Sequence, residues 1–201
     1  MKPILFNTEM VRAILDGHKT MTRRVMKPQP AMYGFLETYY DWSKVKTPYY
    51  PGDILYVCET WCNYGELNDN DQVIDGTEKY YYRADGENPT PFNYFLVGDE
   101  RRDYPVWRPS IHMPKEAARI FLRVTNVHVE RLQNITISDI RAEGVVPNTI
   151  TGGQWQQWQR DFMKPVWDNA IKKADRDMYG WNANPWVWVI EFERISKEDT
   201  K

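Results

Sequence analysis

The chain has 201 residues and a formal net charge of −2, so it suits one generous domain and carries no overall positive field. No run of about 18 apolar residues occurs, which excludes a helical membrane span, and MKPILFNTEM lacks the long apolar stretch expected of a secretory leader. Cys58 and Cys62 have no second pair to complete a zinc site, and as small buried side chains they fit a reducing, cytosolic setting.

In chain order, KPILFN reads as a short strand. Asn7 or Thr8 then caps a two-turn helix carrying Met10, Val11, Ile14 and Leu15, which Gly17 stops. HKTMTRRV follows as a strand with one polar edge. Pro51-Gly52-Asp53 makes a turn into a strand expected over Ile54 to Trp61. The region of about 63–109 reads as an irregular insertion within a single domain spanning 1–201, with an acidic loop (GELNDNDQVIDGTE) and one strand at KYYYRAD.

ARIFLRVTNVHVERL is strongly β, with Ile120, Leu122 and Val124 on one face and a phase slip at Asn126 that predicts a turn or bulge. TISDIRAEG is a short helix, capped by Thr136 or Ser138, with Asp139 three residues after Thr136 and Gly144 at its end. GGQWQQWQRDFMKPVWDNAIKK is helical in pattern, with Trp155, Trp158 and Phe162 on one face and Val166, Trp167 and Ile171 on one face, and Pro165 should kink or restart it. NPWVWVIEFERI is a final strand whose Trp186 and Trp188 are expected inside. Helices do not regularly separate the strands. The expected class is therefore α+β, a mostly antiparallel barrel with flanking helices.

ILDGHKTMTRR, PGDILYVCETW, AARIFLRVTNVHVERL, ISDIRAEG and WVWVIEFERI, in that order, resemble the ASCH domain family of the PUA-like β-barrel superfamily. KPILFNTEMVRAILDGHKTMTRRVMKPQP and WRPSIHMPKEAARIFLRV are most similar to ASCH proteins encoded by phages and prophages. The resemblance implies a small PUA-like barrel with a cleft that binds RNA or a modified nucleoside or nucleotide. It also implies alternatives: an amidohydrolase that deacylates an N-acylated nucleobase such as N4-acetylcytidine, or a ribonuclease. A phage protein that captures a host factor through its acidic insertion is a further alternative. No cofactor or metal is implied.

The amidohydrolase branch uses a lysine, a threonine three residues later and a glutamate. Lys19 and Thr22 match the first two and Glu143 is the candidate third. A desolvated lysine can act as a base toward a hydroxyl nucleophile. A difference of three residues puts the pair on opposite faces of a regular strand, so Lys19 must sit in a turn or bulge. The plainer reading is a surface lysine and an ordinary β-former.

Arg23, Arg24 and Lys27 are either phosphate contacts or a solvated edge. Glu59 is a second acid that could face the cleft. Trp61, Tyr82 and Trp107 could stack on bases or pack in a core. Arg108, Ser110 and His112 lie in a polar loop suited to recognition or bracing.

Overall fold

A computed structural model describes residues 1–30, 46–65, 68–70, 72, 74–86, 95–97, 100–102, 106–145 and 155–200. Its elements, in chain order, are β1 (Lys2–Leu5), α1 (Thr8–Leu15), β2 (Met21–Val25), β3 (Ile54–Cys58), β4 (Trp61–Tyr64), β5 (Lys79–Tyr82), β6 (Phe95–Val97), β7 (Glu100–Arg102), β8 (Phe121–Arg131), α2 (Ile137–Ala142), α3 (Trp155–Trp158), α4 (Lys164–Ala170), α5 (Arg176–Tyr179) and β9 (Trp186–Ile195). The class is mixed α+β with a mostly antiparallel sheet. Strand pairings among the described residues do not close a barrel. No helix among them is long and apolar enough to cross a membrane.

Two compact units share the chain. The first comprises Met1–Gly17, Ile54–Arg123 and Arg194–Lys201. In it β1 lies parallel to β3, and β3 pairs antiparallel with the first residues of β8. The Asn7 side chain accepts the Met10 N–H at 2.8 Å and caps α1, and Gly17 turns the chain out at φ 75°. Val11 and Ile14 face inward, and Arg12 Nε donates to the Ala84 carbonyl at 2.8 Å.

The strand expected over Ile54 to Trp61 is two strands, broken at Glu59 and Thr60. The region of about 63–109 is also more regular than expected: β4 pairs with β5, and β6 with β7. Part of its acidic loop lies outside the described residues.

The second unit comprises His18–Asp53 and Val124–Glu193. Here β2 pairs antiparallel with β9, with Thr22 opposite Ile190 and Arg23 opposite Val189. One face of β9 presents Val187 and Val189 to a core of Leu132, Ile135, Ile140, Met163 and Trp181. Ile190 and Phe192, on the opposite face, are buried as well. Trp186 and Trp188, expected inside, are only half-buried. The intervening valines fill the core, and the Trp186 ring lies 4.4 Å beneath the Arg131 guanidinium.

β8 runs unbroken through Asn126. The side-chain amide of Asn126 donates to Glu191 on β9 at 2.9 Å, so the polar position is used between strands without a break. Pro165 does restart the helix. A widened turn at Gln159–Met163 precedes α4, because proline has no N–H to bond back into the preceding turn. The Trp155 side chain lies outside the described residues, Phe162 is exposed, and Trp158 and Trp167 pack partly against the core.

α2 matters most for the site. Thr136 accepts the Asp139 N–H at 3.2 Å while the Asp139 carboxylate accepts the Thr136 N–H at 2.9 Å, a complete capping box. Ile140 anchors the helix in the core, and Gly144 leaves it at φ 84°. Thr136→Ala should lower unfolding stability by about 1 kcal/mol, read as a shifted urea midpoint at unchanged slope.

Candidate active site

Lys19 sits between α1 and β2 and forms an isolated antiparallel bridge with Glu143. Thr20 N–H donates to the Ala142 carbonyl at 2.7 Å, which ties this short link to the end of α2. The Lys19 side chain is 0% exposed. Its Nζ donates to the carbonyls of Met21 at 2.7 Å and Glu143 at 3.1 Å, and stands 3.9 Å from Glu143 Oε2. Burial lowers its pKa from 10.5 to about 8, against the pull of Glu143, and Arg24 and Arg23 lower it further.

Lys19 lies outside the strand, and its amine returns to the Met21 carbonyl. That carbonyl belongs to the peptide preceding Thr22, whose side chain lies on the strand face opposite Arg23. Thr22 itself is buried.

Arg23 is not on a solvated edge. Its side chain is 2% exposed and its guanidinium is filled by three carboxylates. Nε and Nη2 donate to Glu130 Oε1 at 2.8 and 2.6 Å, Nη2 to Asp139 Oδ2 at 3.0 Å, and Nη1 to Glu143 Oε1 at 2.7 Å. Burial works against the charge on Arg23; Glu143 and then Glu130 outweigh it and hold its pKa above the ordinary arginine value. A guanidinium so occupied is not available to phosphate. Arg24 is half-buried, and burial lowers its pKa, although arginine stays charged at any ordinary pH. Lys27 is exposed, with its ammonium 4.5 Å from the Tyr179 ring centroid.

Strand alternation and helix periodicity explain the convergence. Arg23 shares a face with Val189 and so points to the core that holds Ile140 of α2. Asp139 and Glu143 are four residues apart and meet Arg23 from one side of that helix. The three carboxylates are also the accessible part of the group, at 19%, 22% and 15% side-chain exposure for Glu130, Asp139 and Glu143.

The remaining candidates belong to the first unit. Glu59 is buried and held bidentately by Arg119, Nε to Oε1 at 2.9 Å and Nη2 to Oε2 at 3.0 Å. Burial pushes the Glu59 carboxyl up, and Arg119 works against that. Arg119 also reaches Asp85 and lies 3.9 Å from the Tyr82 ring centroid, while the Tyr82 hydroxyl donates to the Ala117 carbonyl at 2.6 Å.

Trp61 is in a core with Cys58, Met113 and Phe121, and its indole N–H is buried without a partner. The Arg108 guanidinium lies 5.2 Å from its ring centroid. Trp107 and Ser110 are half-buried and His112 is exposed. Ser110 and His112 share one 3-10 turn, with no hydrogen bond between their side chains among the described residues.

Glu130 and Asp139 were not among the sequence candidates. A helical acid pair at Asp139 and Glu143, four apart, was the available signal for one of them; Glu130 had none. No group of three or more metal-ligating side chains suited to an ion occurs among the described residues.

No family model matches the chain, and no curated protein matches it. The crystal structure of protein EF3133 from Enterococcus faecalis V583, family model DUF984, aligns over 98% of this chain and 82% of its own, with a TM-score of 0.39 and 11% sequence identity.

Proposed function

We propose that the protein is an ASCH-type amidohydrolase, built on the PUA-like barrel of that family, which removes an acyl group from the exocyclic nitrogen of a nucleobase. The observation that carries this reading is the Lys19 amine. It is fully buried, has a pKa of about 8, and lies beside both the Thr22 peptide and the Glu143 carboxylate. Two carbonyls accept from that amine, and in its neutral form it carries a lone pair. Such an amine is suited to accept a proton from a hydroxyl.

In the reaction, neutral Lys19 takes the Thr22 hydroxyl proton as the Thr22 oxygen bonds to the acyl carbon. The bond from that carbon to the ring's exocyclic nitrogen breaks. The lysine ammonium returns that proton to the leaving nitrogen, and the free amine departs. Water then adds to the Thr22 ester, and the acyl group leaves as a carboxylic acid with the threonine hydroxyl restored.

The exposed atoms of the ion group are carboxylates and its cations are buried. That arrangement repels phosphate and favours an uncharged nucleoside or free base over RNA. A binding module without turnover is the second reading, supported by the complete enclosure of the Lys19 side chain.

The test is incubation with a panel of N-acylated nucleosides, including N4-acetylcytidine, at about pH 9, where a base of this kind is neutral. The expected products are the free nucleoside and the carboxylate, detected by mass spectrometry, with slower conversion of the matching 5′-monophosphate. Retained nucleoside binding with no product from any member would overturn the hydrolase in favour of the binding module.

A further inference from the structure

We propose that Arg23 is a positioning residue that holds Glu143 away from the Lys19 amine and so keeps Lys19 available as a base. The inference takes its meaning from the reading of Lys19 given above, but its geometry is independent of any substrate. Glu143 has two oxygens facing two cations. Oε1 is 2.7 Å from Arg23 Nη1, a short charge-assisted bond. Oε2 is 3.9 Å from Lys19 Nζ, beyond hydrogen-bond reach. Lys19 donates to the carbonyls of Met21 and Glu143.

Arg23 is in turn unable to swing away. Glu130, on β8, takes Nε and Nη2, and Asp139, on α2, takes Nη2. Met21 Sδ lies 3.4 Å from Nη1. The planar fork is thus fixed from two elements, with its remaining arm on Glu143. A lysine at this position has one point charge and no fork with which to repeat four directional bonds to three carboxylates.

Among the described residues, the charged groups that act on Lys19 include Glu143 from the end of α2 and Arg23 and Arg24 from β2. Glu130 and Asp139 face Arg23. Removing Arg23 therefore acts in one direction. It deletes a cation near the amine and frees Glu143 to pair with it, and both effects favour protonated Lys19.

The experiment is a pH titration of the Lys19 side-chain carbon resonances by NMR, assigned with Lys19→Met. The wild-type midpoint is expected near 8. Arg23→Gln should raise it by about one unit or more, Arg23→Lys should raise it by less, and Glu143→Gln should lower it. A role confined to packing would not move the two variants in opposite directions. An unchanged or lowered midpoint in folded Arg23→Gln overturns the proposal. If that variant does not fold, Arg23→Lys and Glu143→Gln decide it, and an unchanged midpoint in either is equally fatal. The titration needs no substrate. The expected shifts without acyl-nucleoside turnover would therefore uphold the role of Arg23 and sink the hydrolase.

Discussion

Lys19→Met is expected to reduce acyl-nucleoside turnover by about 10²–10⁴-fold, the usual weight of a general base. The loss should appear in kcat, because the buried amine is held by carbonyls within the protein. Wild-type turnover should rise with pH and level off above about 8, as the amine loses its proton. The same group leaves a mark on stability. Its folded pKa lies below its ordinary value, so the unfolded chain binds more protons between about 8 and 10.5, and stability rises with pH across that window. Below it the charged, desolvated amine carries its full penalty. Urea melts of wild type against Lys19→Met should show the wild type gaining about 3 kcal/mol relative to the variant across that range. A flat difference would mean that Lys19 keeps an ordinary pKa.

Arg23→Met should be the most damaging single change to the folded state, at about 3–5 kcal/mol, because it leaves three carboxylates crowded without their cation. Chemical denaturation at neutral pH measures it. Adding Glu130→Gln and Asp139→Asn to Arg23→Met should recover part of the loss, since each removes a charge the methionine no longer balances. A cost below about 1 kcal/mol for the single variant would place Arg23 with ordinary surface ion pairs.

Local signals in the sequence were read well because their causes are local. The Asn7 cap, the Gly17 stop and the Thr136–Asp139 capping box each depend on residues three or four positions apart. Arg23 shows the opposite case. Its partners lie 107, 116 and 120 positions away, and nothing near TRR says that the first arginine is buried. Glu59 behaves likewise: its cation, Arg119, is 60 positions on. Resemblance and chemistry point to Lys19 and Glu143 one at a time, whereas the bridge between them is made by folding.

The capping box has a consequence for how this chain can vary. One oxygen, Asp139 Oδ2, accepts both the Thr136 N–H at the start of α2 and the Arg23 guanidinium. Asparagine keeps the cap but gives up the charge, glutamate keeps the charge but shifts the oxygen by a methylene, and serine keeps neither reach nor charge. Position 139 therefore has no silent neighbour among the twenty residues. A survey of all substitutions should find it as intolerant as the buried Ile140 beside it, although Asp139 is partly open to water and has no place in the hydrophobic core.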